Sequence, residues 1–150
     1  MIAVIQRVKN ASVEINQNEH ASIKNGLLIF SGVTHDDTQE DAEWLANKIV
    51  NLRIFDDENG VMNLSLSELS LEILVISQFT LHAKSKKGNR PSYIESAKPP
   101  LATDIYDYFT NFLNDLTQNK TKSGIFGANM QVSLCNDGPV TIIIDTKNKK

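Results

Sequence analysis

The sequence predicts an α+β domain whose antiparallel-rich β-sheets form a barrel-like sandwich with two outer helices. Three observations predict it. Short stretches rich in Val, Ile and Leu recur from the first residues to the last; only two stretches, near 37–51 and 101–116, carry helical spacing; and compact turn signals separate the stretches, with no linker or repeat. With 150 residues and 41% hydrophobic content, the chain is one domain's worth over residues 1–150, and its last few residues form a basic tail.

Residues 1–8 alternate as a strand does, with Ile2, Val4 and Val8 on one face and Ala3, Ile5 and Arg7 on the other. Arg7 therefore shares a face with apolar neighbours. It is either a snorkelling surface arginine or a donor fork holding backbone carbonyls, since a charge buried without partners is strongly destabilising. Val13 and Ile15 continue the alternation, residues 16–20 read as a polar turn, and Gly26 to Val33 form a near-continuous apolar run suited to a central strand. Thr38 followed by Asp41 resembles a capping box, and Ala42, Leu45, Ala46 and Ile49 recur at helical spacing, so a helix is expected from about Asp37 to Asn51. Its acidic first turn suits the helix dipole and suggests no metal site.

Leu52 to Phe55, the turn Asp56 to Gly60, and Val61 to Leu64 predict a short hairpin, and Leu71 to Phe79 is the most hydrophobic strand, expected mid-sheet. Residues 82–100 show no periodicity, which in a small domain marks a functional loop or lid. Leu101, Ile105, Tyr108, Phe109, Phe112 and Leu116 mark the second helix, after which Gly124 and Gly127 punctuate the return to strands. Met130, Val132 and Leu134 alternate, Asn136-Asp137-Gly138-Pro139 supplies two turn signals, and the β-branched run Val140 to Ile144 follows. Two strands are expected to flank a tight, proline-locked bend.

Composition narrows the function classes. No apolar run approaches the roughly 18 residues of a membrane span, and the amino terminus lacks the flanks of a signal peptide, so no membrane partner and a cytoplasmic location are expected. A single cysteine, Cys135, has no second cysteine for a disulfide or a zinc site and reads as a small buried hydrophobe. The net charge of −3 argues against a general nucleic-acid-coating surface, and no DNA partner is expected, although Lys84, Lys86, Lys87 and Arg90 cluster closely enough to meet phosphates.

Conventional catalytic patterns are absent. His20, His35 and His82 lie at no metal-ligand spacing, and there is neither a G-x-S-x-G elbow nor a glycine-rich phosphate loop, so no metal and no cofactor are expected. If the strand ending near Phe79 continues, Thr80 and His82 share a face and can pair as nucleophile and base. The alternative is that Ser77-Gln78-Phe79-Thr80 presents backbone N–H groups where the strand loses its partner. Each such donor aimed at an oxyanion contributes roughly 2.7–4 kcal/mol to a transition state. Phe79 reads equally as a core aromatic or as a stacking surface for a base.

Met1 to Val8, Ser77-Gln78-Phe79-Thr80, Lys87-Gly88-Asn89-Arg90-Pro91-Ser92 and Asn136 to Thr141 together resemble the D-aminoacyl-tRNA deacylase family, in order and over Met1 to about Asp145. The resemblance implies a homodimeric hydrolase that splits the ester of D-aminoacyl-tRNA, and of glycyl-tRNA(Ala), into free tRNA and amino acid. It implies that Ser77 to Thr80 line the pocket for the aminoacylated terminal adenosine, with the ester near the N–H groups of Phe79 and Thr80. It implies further that Gly138–Pro139 is a cis peptide inserted into the partner subunit's site, where it rejects L-aminoacyl-tRNA, and that Arg7 orients it. The partners implied are the tRNA 3′ end and acceptor stem, with Lys84, Lys86, Lys87 and Arg90 at the phosphates.

Two mechanisms remain open: attack by Thr80 Oγ, or water activated with help from the ribose 2′-OH. The second is preferred because no convincing base stands beside Thr80, and family members often carry an aromatic residue in place of His82. Two rival functions are an L-alanine-editing relative with a trans Gly-Pro bond, against which Arg7 and the intact Gly138-Pro139-Val140-Thr141 argue, and a non-catalytic tRNA- or partner-binding β-domain.

Overall fold

β1 (Ile2–Ile15) runs unbroken for 14 residues, joining two alternating stretches into one strand. The computed structural model describes residues 1–149, so Lys150 of the expected basic tail lies outside the described residues. Asn16 and Gln17, at φ 52° and 64°, reverse the chain in two residues, and β2 (Asn18–Ile23) returns antiparallel along β1. The sequence pattern does not reveal β2, because Asn18, Glu19 and His20 are exposed and carry no alternation.

β3 (Gly26–Gly32) pairs antiparallel with β1 and parallel with β6 (Glu72–Ser77), and β7 (Thr121–Ser123) adds a parallel strand beyond β6. β3 and β6 lie between two cores. Leu27, Ile29, Ile73 and Val75 face the helices, whereas Leu28, Phe30, Leu74 and Ile76 face inward with Val8, Val13 and Ile23. Strands covered on both faces carry no obligatory polar alternation, which is why these two read as continuous apolar runs. β2 curls toward β6 and β7, where Lys122 Nζ donates to Ser22 O at 2.6 Å and the Lys24 N–H donates to Glu72 Oε2 at 2.9 Å. The sheet is thereby a nearly closed barrel.

α1 (Gln39–Val50) begins at Thr38, whose side chain and that of Asp41 cap each other's backbone N–H reciprocally. A four-residue helix, α2 (Leu66–Leu69), follows the hairpin of β4 (Phe55–Asp56) and β5 (Met62–Leu64); one turn is too short for periodicity to disclose. α3 (Leu101–Leu116) packs with α1 on the outer face, burying Ala102, Ile105, Tyr106, Phe109 and Leu113. Tyr108 and Phe112, expected on that stripe, are half-buried and stacked at 6.2 Å, with Tyr108 Oη donating to Glu43 on α1 at 2.5 Å.

β8 (Gln131–Asp145) pairs along the other edge of β1. The bend expected at Asn136 to Pro139 is not a reversal. From Asn136 to Thr141 β8 advances five positions while β1 advances two, from Val8 to Gln6, so the segment swells out as a bulge and both flanks keep the same neighbour. Pro139 has no N–H to offer a ladder, and a bulge on an edge strand tolerates it. Cys135, expected to be buried, is exposed, because it lies on this edge strand where little covers the sheet.

Lys147, just past β8, reaches back to α1 and donates to Asp41 Oδ2 at 2.8 Å. Burial pushes the Asp41 carboxyl up, but hydrogen bonds from Lys147 and Thr38, with the Lys147 charge, outweigh it and hold the group at about 2. A folded value below the unfolded one means that the stabilisation is present above the ordinary carboxyl value of 3.8 and is lost as pH falls toward 2. Asp41→Asn is expected to lower stability at neutral pH by about 1–2 kcal/mol and to shrink the acid-induced loss across that window. Thermal melts of both proteins across the window check this.

Candidate active site

β6 ends at Ser77, opposite Ser31 on β3, and the Gln78 N–H makes a last bond to Ser31 O at 2.8 Å. The chain then tightens into a 3₁₀ turn, Phe79–His82. The strand therefore stops two residues before the expected Phe79, and Thr80 and His82 are not alternate residues on one strand face. His82 Nε2 is buried with no hydrogen-bond partner among the described residues, so the nucleophile–base pair does not form. Gln78 Nε2 instead donates to Thr80 Oγ at 2.6 Å. The Phe79 and Thr80 N–H groups, the first of the turn, have no backbone acceptor among the described residues.

Beside this turn a cavity of ≈ 320 Å³ opens between the ends of β3 and β6, the start of α3 and the segment leading into β8. Ser77, Gln78 and Phe79 line it; Thr80 does not. Sequence reasoning missed the opposite wall, which includes Ala97, Ala102, Tyr106 and Phe126 to Met130. The available signal was Gly127, whose φ of 78° lets the chain turn there. Ser31 was missed as well: its Oγ is buried in the cavity wall with no hydrogen-bond partner among the described residues. Burial pushes the Tyr106 phenol up to about 12, so at neutral pH it is an uncharged donor, bonded to Val75 O at 3.2 Å, and no base. Phe79 is 55% exposed, which removes the core-aromatic reading.

The β8 bulge forms a second constellation. Arg7 is buried on β1; its Nε donates to Asp137 O at 2.9 Å, and its Nη1 donates to Ile54 O at 2.7 Å and to Asp56 Oδ1 at 3.1 Å. That is the donor-fork arrangement, not a snorkelling side chain. Asn136 Nδ2 straps the bulge from within, donating to Arg7 O at 3.0 Å and to Val140 O at 3.2 Å. Gly138 and Pro139 lie exposed between these restraints, joined by a cis peptide bond, and neither lines the cavity beside Ser77.

The basic cluster occupies a loop whose neck is closed by two backbone bonds between Lys84 and Ser92, at 2.8 and 2.9 Å. Lys84 Nζ meets Glu95 Oε1 at 2.5 Å, and that hydrogen bond and charge hold the Glu95 carboxyl below its ordinary range. Lys86, Lys87 and Arg90 are exposed and form no ion pair among the described residues.

The family described as D-Tyr-tRNA(Tyr) deacylase matches residues 4–145. The chain belongs to that family. D-aminoacyl-tRNA deacylases from Cytophaga hutchinsonii and Bacteroides fragilis are 60% and 57% identical to it, each over the full length of both chains. A solved structure named c-Myc DNA Unwinding Element Binding Protein superposes with a TM-score of 0.92 at 39% identity, covering 97% of this chain and 98% of its own. A second, described as a probable eukaryotic D-amino acid tRNA deacylase, gives 0.84 at 16% identity and shows the shared fold. The deacylase family places this chain among hydrolases of carboxylic-ester bonds, with D-aminoacyl-tRNA deacylation as its activity. Among the described residues no helix is long and apolar enough to cross a membrane.

Proposed function

We propose that the protein clears D-amino acids, and glycine carried by alanine tRNA, from the tRNA 3′ end in the cytoplasm, using sites shared by two copies of the chain. The observation that supports this reading is the turn at Phe79 and Thr80: two N–H groups without backbone acceptors stand beside a cavity able to hold a terminal nucleoside. An aminoacyl ester is already activated. Water adds to its carbonyl carbon, the resulting oxyanion takes the two N–H donors, the bond to the ribose 3′-oxygen breaks, and that oxygen receives the proton. Thr80 Oγ accepts from the Gln78 amide and has no base beside it, which favours the ribose 2′-OH as the group assisting water and leaves Thr80 as a contact.

The selector in this reading is Gly138–Pro139, projected from the bulge into the partner subunit's site and steadied by Arg7. Its exposed position, away from its own chain's cavity, supports a role on a neighbour. Selection is then by exclusion of a side chain on the L face, so glycine, which lacks one, is accepted. Each tenfold preference requires about 1.4 kcal/mol, which a clash supplies readily and a hydrogen atom does not. The deciding experiment compares deacylation of D-alanyl-, L-alanyl- and glycyl-tRNA at limiting enzyme. D and glycyl substrates are expected to turn over and the L form to persist; equal cleavage of D and L, or inertness toward glycine, overturns the reading.

The exposed basic loop is assigned to acceptor-stem phosphates. Replacing Lys86 and Lys87 by alanine is expected to raise KM alike for several tRNAs. Each lost contact reduces the slope of log KM against log salt by roughly 0.7–0.9. An unchanged slope removes the loop from the interface.

A further inference from the structure

Phe79 and Tyr93 are large aromatic side chains that are 55% and 42% exposed. They meet edge to face, with ring centroids 5.1 Å apart and an interplanar angle of 72°. The pair is braced from both sides within the chain. Ser96 Oγ donates to Phe79 O at 2.7 Å, and the Lys84–Ser92 backbone pair ends immediately before Tyr93. Phe79 also lines the cavity beside Ser77, whereas Tyr93 adjoins the loop that carries Lys86, Lys87 and Arg90.

A cavity, an exposed aromatic pair and a cationic loop thus follow one another across the surface. A tRNA 3′ strand presents a matching order: a terminal nucleoside, unpaired nucleotides, then the phosphates of a duplex stem. Building on the deacylase reading above, we propose that the Phe79–Tyr93 pair is a stacking platform for the unpaired nucleotide that precedes the terminal one. Stacking on an aromatic face tolerates every base, so the platform holds the strand in register without reading its sequence. The neighbouring cations favour a nucleic-acid strand over an apolar protein segment as the occupant.

The test compares the parent with Tyr93→Ala and Tyr93→Phe in the intact protein on two substrates, a D-aminoacyl minihelix with an unpaired 3′ end and D-aminoacyl-adenosine alone. Tyr93→Ala is expected to raise KM on the minihelix by roughly tenfold more than on aminoacyl-adenosine, with kcat little affected, whereas Tyr93→Phe keeps most of the parent's efficiency. An equal loss on both substrates, no loss on the minihelix, or a sedimentation shift toward single chains overturns the platform. The last of these results would mean that the pair serves a second copy of the protein. A parent inert toward both substrates overturns the deacylase reading and the platform with it.

Discussion

Arg7→Met is expected to destabilise the fold by about 2–4 kcal/mol, because it leaves the Ile54 and Asp137 carbonyls, taken together, without their donors. Little of that loss comes from charge. Asp56 and Asp137 are 51% and 42% exposed, so water replaces the guanidinium for them at small cost. Arg7→Lys is the sharper variant: an ammonium is a point donor and cannot span Ile54 on one side and Asp137 on the other as the planar fork does. It is expected to recover about half the stability and to leave the bulge loosely held, so that L-aminoacyl-tRNA is cleaved more nearly at the D rate. Urea unfolding and paired D and L deacylation measure both effects. An Arg7→Lys protein matching the parent in both would show that the fork does not position Gly138 and Pro139.

Gly138→Ala is expected to reduce D-aminoacyl-tRNA turnover by roughly a hundredfold, the scale of a misplacement of about 1 Å at a site that works by geometry. Gly138 is not among the glycines at positive φ, which are Gly60, Gly88 and Gly127. Its requirement is space: a Cβ there would stand 2.4 Å from Asn136 Oδ1 and 3.1 Å from the Val140 nitrogen. The carboxamide that straps the bulge therefore occupies the room a side chain at 138 would need. Asn136→Ala removes that obstacle, so the added penalty of Gly138→Ala should fall by about 1 kcal/mol or more in its presence. Unfolding free energies of the four proteins in the double-mutant cycle test this, and strict additivity would refute the coupling.

Legibility in the sequence followed the locality of the forces. The helix at Gln39–Val50 was readable because Thr38 and Asp41 cap it from within three residues, and β3 and β6 because both faces of each are apolar. β2 was not readable, since its residues are held by pairing to β1 and not by a pattern of their own. At Asn136 to Pro139 the turn chemistry was read correctly and its outcome was not. The same residues suit a reversal or a bulge, and the length of β1, which pairs with both flanks, decides between them. In the site, the Ser77 to Thr80 motif stood out as polar residues after an apolar run, but the turn that ends the strand at Ser77 moved His82 out of any role beside Thr80. Ser31 gave no signal, because one serine in an apolar strand declares nothing until a cavity opens beside it.

Among the described residues β8 pairs only with β1, so within one chain its outer edge is a 15-residue row of backbone groups that carries exposed Leu134 and Ile143. An uninterrupted edge of that length is a template on which foreign strands can add, the first step of aggregation. The bulge cuts it into Gln131 to Asn136 and Thr141 to Asp145, and Pro139 withholds a donor between them. Any substitution that straightened this segment would therefore do more than blunt selectivity: it would turn a guarded margin into a growth front for fibrils.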